Sequence, residues 1–333
     1  MPQDGEGSPM VAHNTEEYRY NPENPFMAVS GAPLSTFGAD VDTASYANIR
    51  RMLLGGSPVP EDAVRIEEML NYFYYDYPEP KEHEPFSVTT RLAECPWNQS
   101  HSLLQIGLQA KKLDEDTLPA SNLVFLLDVS GSMDAPDKLD LVKRAFLTMT
   151  ENLKDGDSIS IVTYASSDKV VLDGASGSDR TRIMTAIENL EAGGSTAGSK
   201  GIKTAYELAE KHFIKGGNNR VILATDGDLN VGVTSEGGLT RLIQKKRKSG
   251  VFLSVLGFGT GNIKDNKMEA LADNGNGQYA YIDSMAEARK VLVEEMGGTL
   301  FTVAKDVKFQ VEFNPAKVKG YRLIGYEIRV MAD

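Results

Sequence analysis

Cysteine is almost missing from this 333-residue chain, which holds one, Cys95. A single thiol forms no internal disulfide and fits no metal-ligand spacing, so Cys95 reads as a small, partly buried apolar residue. Long apolar runs are missing too. The longest, residues 123–127, is strand-sized, against the roughly 20 residues that span a bilayer as a helix; a channel or transporter made of this chain alone is excluded. Positive charge is scarce, with 35 Lys and Arg against 47 Asp and Glu and a net charge of −12. That excess is the wrong sign for nucleic acid, whose phosphates need a basic footprint. The four histidines, His13, His83, His101 and His212, are scattered, and no Ser-His-Asp set can be read. The first residues, Met1 to Gly7, contain no apolar signal segment; either the protein is cytosolic or an export signal has been removed.

What is present is globular composition, 25% charged and 41% apolar, in a length that suggests two or three domains. Residues 1–25, with Asn-Pro twice, read as a flexible lead. Residues 26–80 read as a helical N-terminal region. Thr43 and Ser45 open one helix with Tyr46, Ile49, Met52 and Leu53 on a face, stopped by Gly55 and Gly56. Pro60, Glu61 and Asp62 open a second with the face Val64, Ile66, Met69, Leu70 and Phe73, stopped by Pro78 and Pro80. Segments 86–92 and 103–108 alternate like strands, as do Val307, Phe309, Val311 and Phe313 and, less regularly, 321–330. Neither strand pair can bury a core alone. The two are therefore expected to join in one discontinuous, β-sandwich-like domain, residues 81–112 plus 299–333, with the segment between them inserted.

That insertion, residues 120–298, alternates strand and helix. The run Leu123-Val124-Phe125-Leu126-Leu127 is the kind of strand buried on both faces of a parallel sheet. The expected fold is α/β, a doubly wound, mostly parallel, Rossmann-like sheet. Ligands of such sheets sit at the carboxyl ends of the strands. Three loops there carry oxygen-bearing side chains: Asp128-Val129-Ser130-Gly131-Ser132, the glycine-rich loop with Ser195 and Thr196, and Thr225-Asp226-Gly227-Asp228. Hard oxygens in that number suit Mg²⁺ or Mn²⁺, with Ca²⁺ a further candidate.

The pattern Asp-Xaa-Ser-Xaa-Ser, then a Thr in Gly-Gly-Ser-Thr, then Thr-Asp-Gly resembles the metal-ion-dependent adhesion site of von Willebrand factor type A domains. The matching positions are Asp128, Ser130, Ser132, Thr196 and Asp226. Pro33 to Phe37, Asp40 to Tyr46, Phe313-Asn314-Pro315 and Tyr321 to Glu327 further resemble a bacterial group with such a domain between family-specific flanks, often labelled calcium-activated chloride channel homologues. The resemblance covers the chain from about Asn24, and in the family the C-terminal region continues past Asp333. It implies that Ser130 and Ser132 bind the ion directly, that Thr196 does so directly or through water, and that Asp128 and Asp226 act through water or hydrogen bonds. The implied function is adhesion or scaffolding, not bond-breaking: a protein partner offers an Asp or Glu carboxylate to the ion. The implied location is outside a bacterial inner membrane, exported and often lipid-anchored.

Plainer readings stand beside these. Asp228 reads as a surface-turn acid, and Asp134 and Asp137 as loop-shaping and capping residues. Asp40 and Asp42 look like a Ca²⁺ pair but lack the later ligands of an EF-hand loop, so capping and turn roles are expected. The Gly193–Lys200 segment has the wrong order for a phosphate loop, and Lys245, Lys246, Arg247 and Lys248 read as a solvated helix end. The aromatic cluster from Tyr72 to Tyr77 reads as packing of the helical region on the β-domain. The alternative function is a Mg²⁺-dependent hydrolase or phosphatase with Asp128 as nucleophile. Ser130 stands where such a nucleophile loop wants a second Asp.

Overall fold

A computed structural model describes residues 14–81, 83–112, 117–195, 198–227, 236–295 and 307–332. At its centre is a six-stranded sheet. Its strands are β5 (Ser121–Asp128), β6 (Ser158–Tyr164), β7 (Asp168–Ser176), β8 (Asn218–Thr225), β9 (Val251–Phe258) and β10 (Tyr279–Ile282), in the order β10-β9-β8-β5-β6-β7. All neighbours are parallel except β7, which runs antiparallel to β6 at the edge. Every residue of β5, β8 and β9 is buried.

The period-two geometry of a strand sends alternate side chains to opposite faces, and the apolar run of β5 feeds two cores this way. Leu123, Phe125 and Leu127 meet α3 (Leu139–Thr150), α4 (Arg180–Glu188) and α8 (Met285–Arg289) on one face. Val124 and Leu126 meet α5 (Gly198–Lys211), α6 (Glu236–Lys248) and α7 (Asp265–Asn274) on the other. The expected doubly wound α/β architecture is present.

The N-terminal region is built onto that second face. Ala44 and Ala47 of α1 (Ala44–Leu54) belong to its core, small residues that let the helix lie close to the sheet. Arg50 reaches Asp283 Oδ1 at 2.5 Å and Glu287 Oε2 at 2.8 Å. Arg65, with a side chain 4% exposed, pairs with Glu68 and Asp265, with Glu269 at 3.8 Å. Asp42 accepts from the Tyr279 backbone at 2.9 Å, and Arg329 bonds Asp40 and Asp273 at 3.0 and 2.7 Å. The acidic pair at Asp40 and Asp42 thus serves turn and docking contacts.

Five expectations need correction. The second helix is split into a 3-10 turn, Glu61–Ala63, and α2, Ile66–Asn71. Arg65 is extended between them because its amide donates to Ser45 Oγ at 3.0 Å while its guanidinium seeks buried acids. The face is also reversed: Glu67 and Glu68 are buried, and Ile66, Leu70 and Phe73 are exposed. The expected β-sandwich-like domain does not form among the described residues. β3 (Phe86–Glu94) and β4 (Ser102–Ala110) pair only with each other, while β11 (Lys308–Glu312) pairs with β2 (Leu34–Gly38) and β12 (Gly320–Tyr321) with β1 (Met27–Ala28). The α1 docking holds β2 beside the α/β core, and Phe309 comes opposite Phe37 there, ring centroids 5.3 Å apart. Residues 14–18, expected in a flexible lead, are ordered against residues 261–265, with Thr15 N and Glu17 N each 2.8 Å from a carbonyl of that loop. The aromatic cluster divides: Tyr72 stacks on Tyr46 at 4.0 Å and donates to Glu287 at 2.7 Å, whereas Tyr77 lies against Gly107 of β4.

The Arg65 cluster holds more acid than base. Burial pushes the Glu269 carboxyl up to about 8, with Glu68 and Asp265 adding and Arg65 opposing. A carboxyl raised above its ordinary 4.5 contributes stability below that pH and loses it as pH climbs toward 8. The neutral Glu269→Gln should therefore match the wild type at pH 4.5 and exceed it at pH 9 by more than ~1 kcal/mol, read by urea unfolding at both pH values. A less stable variant at pH 9 would show that the ionised Glu269 is a net partner of Arg65.

Candidate metal centre

The adjacent parallel strands β5 and β8 end together, Leu127 opposite Ala224. Asp128 closes one strand and Asp226 follows the other, and neither has measurable exposure. The chain after β5 turns back on its own carboxylate: Ser130 N donates to Asp128 Oδ1 at 2.9 Å, and Thr225 Oγ1 donates to Oδ2 at 3.2 Å. This turn puts the Ser130 and Ser132 hydroxyls 3.1 Å apart. Ser130 is buried and Ser132 is exposed. The glycine-rich loop is zipped to the same turn, Gly193 N to Val129 O at 2.8 Å and Gly131 N to Gly194 O at 2.9 Å. Gly194 has φ +82°, and a Cβ there would lie 2.5 Å from Ser166 Oγ, the atom that accepts from Ser195 N at 2.9 Å.

The structure thus brings Asp128, Ser130, Ser132 and Asp226 to one end of the sheet. Thr196 and Asp228 lie outside the described residues. Sequence reasoning named Thr225 in its loop without giving it a role, and missed Lys138 and Asn262. Lys138 Nζ is 3.0 Å from Asp226 Oδ2 and 3.0 Å from Asn262 Oδ1. Its signal was present: a lysine at the N-cap of α3 stands at the positive end of the dipole, where a cation is unfavourable without an acid to hold it. Asp137, expected to cap that helix, instead accepts from Thr260 at 3.3 Å.

The two carboxylates differ in environment. Burial pushes Asp128 up to about 6, with the Asp226 charge adding and the Ser130 hydrogen bonds opposing. Burial would raise Asp226 too, but hydrogen bonds from Asn262, Lys138 and Ser132 and the Lys138 charge hold it below the usual carboxylate range. The donor set is all oxygen, two serine hydroxyls and two carboxylates. With bonds of about 2.0–2.1 Å, two neighbouring ligands of an octahedral Mg²⁺ stand about 3 Å apart. The Ser130 and Ser132 hydroxyls, hydrogen-bonded to each other at 3.1 Å, are close enough to share one hard divalent ion.

Comparisons with known proteins give the family. Residues 122–295 match the family described as von Willebrand factor type A domain, residues 12–105 match von Willebrand factor, and residues 298–333 match the C-terminal region of uncharacterized protein YfbK. The chain belongs to the von Willebrand factor type A domain family. It is 47% identical over 322 residues to uncharacterized protein YfbK of Escherichia coli K12, covering 95% of this chain and 56% of that one. It is 25% identical over 260 residues to human calcium-activated chloride channel regulator 1, covering 69% and 27%. The chain spans about half the length of the first relative and about a quarter of the second. Among solved structures, von Willebrand factor type A from Catenulispora acidiphila is similar with a TM-score of 0.48 at 20% identity, covering 68% of this chain and 52% of that one.

Close backbone approach at this end of the sheet can be tested. Gly227 has φ +100°, and a Cβ there would stand 2.5 Å from Lys264 N and 3.1 Å from Asn262 O. Gly227→Ala should cost about 2–4 kcal/mol, read as a lower urea midpoint. Gly216→Ala, at φ +78° with open space around it, should cost about 1 kcal/mol. Equal losses would show that the loops do not abut.

Proposed function

We propose that this chain is a metal-dependent protein-binding module, an adhesion or scaffolding element and not an enzyme. The observation that carries the reading is the pair of hydroxyls, Ser130 and Ser132, spaced for one ion above two buried carboxylates. Ser130 and Ser132 would hold the ion directly, joined by Thr196 on the family resemblance, and Asp128 and Asp226 would hold its waters. Mg²⁺ is the favoured ion, with Mn²⁺ and Ca²⁺ as substitutes. When bound, the ion supplies a poorly neutralised electrophilic centre suited to an Asp or Glu carboxylate of a partner protein. The residues of the chain fix that centre in place: the Asp128 oxygens are held by Ser130 N and Thr225, and the Asp226 oxygens by Lys138 and its neighbours.

The sequence argues against the hydrolase: Ser130 stands where a nucleophile loop of that kind wants a second Asp. The net charge of −12 disfavours nucleic acid as the partner. No helix among the described residues is long and apolar enough to cross a membrane. On the resemblance alone, we propose that the protein is exported, either periplasmic or membrane-anchored from the outside.

Titration calorimetry with Mn²⁺ should give one site of roughly micromolar to millimolar affinity in the wild type and none in a Ser130→Ala, Ser132→Ala double variant. Unaltered binding in the double variant would overturn the assignment. p-Nitrophenyl phosphate with Mg²⁺ should show no turnover; turnover abolished by Asp128→Asn would instead establish the hydrolase.

A further inference from the structure

Lys138 stands at the N-cap of α3, yet its side chain runs inward and is 11% exposed. Gly259 makes the room for it. With φ +76° and no side chain, this glycine lies along the lysine stem, and a Cβ there would stand 2.4 Å from Lys138 Cγ. The ammonium ends between Asp226 and Asn262, 3.0 Å from each. Seating it there costs lysine rotamer freedom, desolvation of the ammonium and an unfavourable position on the helix dipole. Leu139, Leu141, Val142, Ala145 and Phe146 already anchor α3 in the core, so the helix does not need the lysine to dock.

We propose that Lys138 is a built-in counter-cation of the metal centre: it holds Asp226 when no divalent ion is bound and opposes the ion's charge when one is. The inference rests on the metal-centre reading above. With both carboxylates ionised, Asp128, Asp226 and Lys138 sum to one negative charge, and a divalent ion turns that into one positive charge. Without the lysine the same ion would bring the group to neutrality. The lysine thus weakens the ion's hold and leaves the loaded site in need of an anionic oxygen, which couples occupancy to an acidic partner.

The experiment uses the full chain with Lys138→Met, which keeps the stem for the Gly259 cradle, and Lys138→Gln, which keeps a hydrogen-bond donor. Both remove the charge. Mn²⁺ affinity is read by calorimetry, and melting is followed in EDTA and in Mn²⁺. Both variants should bind Mn²⁺ about tenfold more tightly than the wild type, since a unit like charge a few ångströms away is removed. Both should melt lower in EDTA and gain more from Mn²⁺. A lysine that only positions Asp226 would lose affinity and stability together, and variants that bind Mn²⁺ no more tightly than the wild type overturn the inference alone. Absence of Mn²⁺ binding in the wild type and in both variants would overturn the inference and the metal-centre reading together.

Discussion

Two carboxylates without exposure, Asp128 and Asp226, lie at the ends of neighbouring strands in the middle of the sheet, one closing its strand and the other just past it. An ionised carboxylate buried without partners is too costly to persist, so the loops at this end of the fold are arranged around that constraint. Asp128 is satisfied by neutral donors, a backbone amide and a threonine hydroxyl, and burial raises its pKa. Asp226 keeps its charge beside an ammonium and an amide. The unequal solutions make Asp128 the weaker acid and Asp226 the stronger one, with the Ser130 amide and hydroxyl beside Asp128 and the Ser132 hydroxyl beside Asp226.

The support for this end of the sheet reaches outside the α/β unit. The loop after β9 carries Asn262 and presses its backbone against Gly227. That loop is in turn held by the N-terminal segment: Thr15 and Glu17 donate to the carbonyls of Gly261 and Ile263, and Glu16 accepts from Gly261 N at 2.9 Å. Arg51 pairs with Glu16 at 3.0 Å, which ties the segment to α1 and so to the second core. The flanking regions therefore brace the candidate site and do more than lead into it.

How much of this was legible follows from where the deciding interactions lie. β5 announced itself because an uninterrupted apolar run needs burial on both faces, and Asp128, Ser130 and Ser132 follow it within a few residues. The sheet and the end that bears the site came from such local patterns. The α2 face could not be read this way: Ile66 and Leu70 look like core, but Glu68 is buried beside Arg65, which also reaches Asp265, and Glu67 is buried against Gly325. The pairing of β11 with β2 was equally hidden, since several short alternating segments could partner it and α1 docking decides which lies within reach. Lys138 was legible only as a breach of the dipole rule, with its partners Asp226 and Asn262 88 and 124 residues away.

The account stands on one ion at Ser130 and Ser132. Crystals grown without divalent metal and soaked in MnCl₂, with anomalous diffraction recorded at the manganese edge, test it most directly. The account predicts an anomalous peak about 2.0–2.6 Å from both Ser130 Oγ and Ser132 Oγ, beside Asp128 and Asp226. A manganese peak elsewhere on the protein, with none between the two serines, would contradict it.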